Sequence, residues 1–157
     1  MSTRGKTSRL RKYALPDFLL MVVAQAAYER WLHRKAIAHV RRDRKRGNQA
    51  ALNEAYKRAI HDAVCQSGGN DAYTGEAMHW HLLSKYDNQA SSQGRRQYKA
   101  GFALLPTVDH VGDGLGAASF KICGWRTNDA KNDLGHEEFV QLCQRVITHH
   151  GKEPQNK

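Results

Sequence analysis

From Phe102 to Leu134 the chain reads strand, glycine turn, strand, helix, and that order constrains it more than any other feature. Phe102–Val111 is the best strand in the sequence. Gly112-Asp113-Gly114-Leu115-Gly116 is a turn, and Ala118–Cys123 reads as the returning strand. A helix is expected to begin near Arg126 or Thr127 and to carry Asn128 to Leu134. If it packs across the hairpin, its first turn faces the end of the first strand, where Asp109 and His110 stand.

Those residue types suit one chemistry. Asp109 and the Asn128 carbonyl are hard oxygen ligands, and water and a phosphate oxygen would fill the other positions around Mg²⁺ or Mn²⁺. Asn132, four residues beyond Asn128, would share its helix face and join the metal site. His110, neutral near pH 7, would take a proton from an attacking water. Lys131 or Arg126 would hold a phosphate. Adjacent strand residues point to opposite faces, so Asp109 and His110 serve one site only if the strand twists or ends there. Gly112 makes an ending plausible.

With these residues in place, residues 73–139 resemble the HNH nucleases. Pro106-Thr107-Val108-Asp109-His110-Val111 looks like that family's first strand, and Asn128-Asp129-Ala130-Lys131-Asn132-Asp133 like the N-x-x-K-x-D opening of its helix. Tyr73-Thr74-Gly75-Glu76 is similar to a YTG segment ahead of the motif in some members. The resemblance implies a β-hairpin crossed by a helix around one metal, with Asp109 and Asn128 as ligands and His110 as base. Two features depart from the pattern. Ser119 stands near the position of the family's middle asparagine, which braces the loop and orients the base, and the usual cysteine knuckle is missing. No C-x-x-C occurs, so a structural zinc is not expected.

The rest of the chain supplies charge and a scaffold. The formal charge of +10 is concentrated in residues 1–46, while the remainder is balanced. Clustered positive charge of this kind is the footprint of a polyanion partner. Residues 1–15 read as a flexible basic arm containing Lys6, Arg9, Arg11 and Lys12. A helical hairpin is expected over 16–66, its first helix starting near Asp17. Its apolar face includes Leu20, Val23, Ala24, Ala27 and Trp31, and it ends in Arg41, Arg42, Asp43, Arg44, Lys45 and Arg46. A second helix follows from about Gln49 to Cys65, with Tyr56 and Ile60 in its stripe. Tyr28 and Trp31 belong to the core rather than to a base-stacking surface.

Residues 67–150 form the nuclease-like part, and 151–157 a tail. Asp71–Glu76 reads as a short strand into a turn, 78–86 as strand or helix, and 87–99 as a polar loop. Glu137–His149 reads as a final amphipathic helix with Phe139, Leu142, Cys143, Val146 and Ile147 in its stripe. His79 and His81 are read as surface or packing histidines, Glu76 as a turn residue, and Glu137 and Glu138 as acids at a helix start. Cys123 and Cys143 are read as buried small hydrophobes. An odd cysteine count without paired spacing points to a reducing, cytoplasmic setting. Phe18–Ala24 imitates a signal peptide, but its pattern continues as a helix face.

The expected protein is therefore α+β: a helical hairpin, an HNH-like ββα-metal core and a C-terminal helix. It would cut DNA with one divalent cation, with Arg41–Arg46 on phosphates. Phosphate contacts do not separate DNA from RNA. Two alternatives stand beside it. One is a degenerate fold that binds nucleic acid without cutting, and the other a nicking or packaging accessory of a phage or mobile element that acts with partner proteins. A homodimer is compatible with either.

Overall fold

Helix α1, Gln25–Lys45, buries Tyr28, Trp31, Leu32, Ala36, His39, Val40 and Asp43, a spacing of three and four that lays one stripe along its length. Helix α2, Asn53–Ser67, buries Tyr56, Ile60, Ala63 and Val64. The two run antiparallel. Near one end the Tyr28 hydroxyl meets His61 Nδ1 at 2.8 Å, and near the other the Tyr56 hydroxyl donates to Asp43 Oδ2 at 2.6 Å. The Arg44 guanidinium closes the connection by donating to the Ala51 carbonyl at 2.8 and 3.1 Å. Gly68, at φ 56°, ends α2 in the left-handed conformation that glycine adopts most readily.

The computed structural model describes residues 11–151. Lys6, Arg9 and most of the expected basic arm, like most of the expected tail, lie outside the described residues. Those described form an α+β fold of five α-helices and one two-stranded antiparallel sheet. No helix among them is long and apolar enough to cross a membrane.

Strands β1, Pro106–His110, and β2, Phe120–Gly124, pair from Pro106 opposite Gly124 to His110 opposite Phe120. Val108, Phe120 and Ile122 join the core cluster with Tyr28, Trp31, Leu32, Ile60, Val64 and Trp80. The helical hairpin thus covers the sheet and shares one core with it. The first strand is shorter than its apolar run suggests. Residues 102–105 are bent into turns by Phe102 N–H to the Lys99 carbonyl and Leu105 N–H to the Phe102 carbonyl.

Helix α3 is Asn88–Ala100, where a loop is expected from the polar composition. The Asp87 carboxylate caps it, accepting from Ala90 N–H at 2.7 Å. Only Ser91 is buried along it, so no apolar stripe announces the helix, and Arg95, at φ 45°, breaks it in the middle. Helix α1 also starts later than expected. Asp17–Leu19 is a single 3₁₀ turn, and Met21 at φ 64° separates it from Gln25. Residues 71–76 are a turn rather than a strand: Asp71 Oδ1 accepts from Tyr73 and Thr74 N–H, and Gly75 N–H donates to the Asp71 carbonyl. The ambiguous stretch after Met78 holds one 3₁₀ turn, Trp80–Leu82.

Helix α4, Trp125–Lys131, packs on both strands. Its first amides are caught by the preceding turn, Trp125 N–H donating to the Leu105 carbonyl and Arg126 N–H to the Ala103 carbonyl, both at 2.9 Å. Asp71, almost fully buried, takes Gly124 N–H on Oδ2 at 2.7 Å. The helix stops at Lys131, three residues short of the expected Leu134, because Asn132 turns to φ 51°.

Helix α5, His136–His150, forms where expected, with Glu137 and Glu138 in its first turn. None of its residues is buried, which corrects the expected packing of its stripe: Leu142, Val146 and Ile147 face solvent and Cys143 is exposed. Cys123 is buried as expected.

Candidate active site

β1 ends at His110, and its last two side chains leave by opposite faces. Asp109 turns toward α4, where it accepts from the Tyr73 hydroxyl and lies 3.2 Å from Lys131 Nζ through Oδ2. Its Oδ1 is 3.5 Å from the same ammonium. Burial and the bond to Asp109 raise the Tyr73 pKa, so that hydroxyl remains a donor. His110 turns toward α1, where Nε2 lies 2.9 Å from Asp43 Oδ2. The approach misses the direction of a well-formed hydrogen bond, so it is a close polar contact, and Nδ1 has no partner among the described residues.

Both faces nevertheless open on one cleft of about 700 Å³. The reason is α1, which reaches both sides of β1. Lys35 Nζ donates to Thr107 Oγ1 at 2.8 Å on the Asp109 face, while Asp43 and His39 meet His110 on the other. Lys35, Arg42, Arg46, Lys121 and Lys131 supply cations to the lining, against Asp109, Asp129 and Asp133. Burial, followed by the Arg34 and Arg42 charges, lowers the Lys35 pKa. His39 is pushed down to about 4, first by burial and then by Arg42, His110 and Lys35.

The sequence-predicted residues divide accordingly. Asp109, His110, Asn128, Asn132 and Lys131 all line the cleft. Asn132 does so from just beyond the helix, not from the helix face on which four-residue spacing would put it. Lys131 is buried against Asp109 rather than free to clamp a phosphate. Arg126 is not in the lining; its guanidinium lies 3.4 Å from Glu76 on the exposed surface. The basic run splits by helix geometry. Arg42 and Arg46 face the cleft, whereas Arg41, Arg44 and Lys45 border a separate groove with Gln49 and Asn53.

Residues missed in the sequence complete the site. Tyr73 orients Asp109, and Lys35 and His39 line the α1 wall. Asp43 is the most informative of them: the only acid within the Arg41–Arg46 run, set four residues after His39 and wholly buried. Ser119 contributes backbone, its carbonyl accepting Val111 N–H at 2.9 Å next to the last rung of the hairpin.

The donor set of Asp109, Asn128 and Asn132, one carboxylate and two amides, is hard and fits Mg²⁺ or Mn²⁺ in kind. Lys131 already offsets the Asp109 charge from one side. Among the described residues no group of three His, Cys, Asp or Glu side chains could hold a metal, so a zinc-type site is not seen there. No family model, curated protein or solved structure matches the chain.

Proposed function

We propose that the protein is a metal-dependent endonuclease of the HNH type that hydrolyses phosphodiester bonds in DNA. The observation carrying this reading is that Asp109, His110 and Asn128 border one cleft whose α1 wall is basic. A hairpin crossed by α4 supplies all three, in the order the resemblance implies.

Lys35, Arg42 and Arg46 would draw the DNA backbone into the cleft. Asp109, Asn128 and Asn132 would hold a divalent cation, which supplies Lewis-acid stabilisation of the phosphate and of the leaving oxygen. His110 would accept a proton from water as that water attacks phosphorus and the bond to the 3′ oxygen breaks. Tyr73 and Lys131 hold the Asp109 carboxylate in place.

The test is plasmid cleavage with Mg²⁺, Mn²⁺ or chelator, with an RNA substrate alongside. His110→Ala should abolish cleavage and leave DNA binding nearly intact, and Asp109→Ala should lose metal-dependent cutting. Cleavage by His110→Ala at the wild-type rate would remove the base assignment.

Two observations favour a second reading, a binding module that does not cut. Asp109 is already paired with Lys131, and both His110 ring nitrogens are shielded from bulk water. Binding of DNA by the wild type without cleavage in either metal would support it.

A further inference from the structure

We infer that Asp43, contributed by the helical hairpin and not by the strand-helix unit, is the positioning residue that orients His110 for catalysis; this rests on the nuclease reading above. Asp43 Oδ2 lies 2.9 Å from His110 Nε2, and the carboxylate is wholly buried. A buried carboxylate is costly unless paired, so its placement against an imidazole has to be stabilised by specific neighbours.

Those neighbours are present. The Tyr56 hydroxyl donates to Oδ2 at 2.6 Å, and Oδ1, which accepts no hydrogen bond among the described residues, has the Arg46 charge 3.6 Å away. Gly114 passes so close that a Cβ there would collide with Oδ1. Asn48 Nδ2 pins that loop by donating to the Gly114 carbonyl at 2.9 Å. Burial, then Asp43 itself, pushes the Tyr56 pKa up to about 12, which keeps its proton available to the carboxylate.

The imidazole is confined as well. Phe120 meets it edge-on at 5.2 Å and His39 stacks at 6.0 Å. An acceptor facing Nε2 selects the neutral tautomer with hydrogen on Nε2 and leaves the Nδ1 lone pair free. His110 lines the cleft with Nδ1 shielded from bulk water in this structure. For the reaction the attacking water must reach Nδ1 from the cleft. There Nδ1 takes its proton as the oxygen bonds to phosphorus and the 3′ oxygen departs, and Asp43 offsets the positive charge on the ring. Asp43 thereby performs the orienting task at a site where the hairpin offers only the Ser119 backbone.

The experiment is Asp43→Asn in the full chain, read three ways: single-turnover plasmid cleavage with Mg²⁺, DNA affinity, and NMR of the His110 ring nitrogens at about pH 8, where an ordinary imidazole is neutral. Expected are a cleavage rate lower by about 100-fold, unchanged DNA affinity, and loss of the Nε2–H tautomer that the wild type shows. Tyr56→Phe, which keeps the carboxylate but removes one of the groups that hold it, should lower the rate less than Asp43→Asn does. If the wild type cleaves and Asp43→Asn cleaves equally fast, the positioning role is overturned while the nuclease reading stands. If Asp43→Asn does not fold, a wild-type spectrum with hydrogen on Nδ1 overturns the role and one with hydrogen on Nε2 supports it. If the wild type cuts nothing, the nuclease reading falls, and this role falls with it even where the tautomer agrees.

Discussion

Lys131 Nζ lies 3.2 Å from Asp109 Oδ2, with both side chains almost fully buried. The ammonium therefore stands where it both stabilises the carboxylate and competes with a metal for it. Lys131→Met should destabilise the protein by about 3–5 kcal/mol, the usual cost of leaving one buried charge unpaired. A divalent cation bound at Asp109 would restore part of that loss by mass action. The expected outcome is a larger rise in Tm on adding Mg²⁺ for Lys131→Met than for the wild type. Equal shifts would argue against Asp109 as a ligand.

His39 predicts an acid-sensitive fold. Its folded pKa of about 4 lies below the ordinary 6.5. The unfolded chain thus binds its proton first as pH falls, and stability is lost between about pH 6.5 and pH 4. The groups facing it are Lys35, Arg42 and Asp43 on α1 and His110 on β1. The loss attributable to His39 is on the order of 3 kcal/mol. Denaturant unfolding of His39→Gln should show a flatter profile across that window. A slope identical to wild type would show that another group titrates there.

Arg41 and Arg42 are neighbours in sequence but border different grooves. Binding in the cleft therefore makes them unequal. Arg42→Gln should weaken DNA binding and lower the salt slope of log K by about 1, the loss of one phosphate contact. Arg41→Gln should leave the slope nearly unchanged. The reverse ranking, measured by salt titration, would move the DNA to the other face of α1.

The cysteines should label in a set order. Cys143 and Cys65 are exposed, whereas Cys123 is buried, its thiol pushed up to about 12 by burial and by Asp71 and Asp109. The thiolate is the reactive form. Mass spectrometry after brief alkylation should therefore find Cys143 and Cys65 modified and Cys123 intact until denaturant is added. Early modification of Cys123 would contradict the packing of β2.

Much of this fold is legible because its signals are local. The periodic stripe of α1 and α2, the turn at Gly112–Gly116 and the Asp109-His110 pair followed by Asn128 all sit within short windows, where side-chain period and turn chemistry decide the outcome. Helix α3 escaped because its stability rests on the Asp87 cap and on Tyr86, Tyr98 and Phe102 meeting in space, not on an apolar stripe. Helix α5 was legible as a helix, but the same stripe could not say that it would remain uncovered.

From the sequence alone follow the strand-turn-strand-helix order of the cleft unit, the two helices of the hairpin and the residue types at the cleft. Only the tertiary structure decided that α1 reaches both faces of β1. That packing brings the opposite-facing Asp109 and His110 to one opening, separates Arg42 from Arg41, and turns Asp43 from one acid among arginines into the partner of His110. The reason is physical: contacts between residues far apart in the chain depend on how helix and strand cross, and no local pattern encodes that crossing.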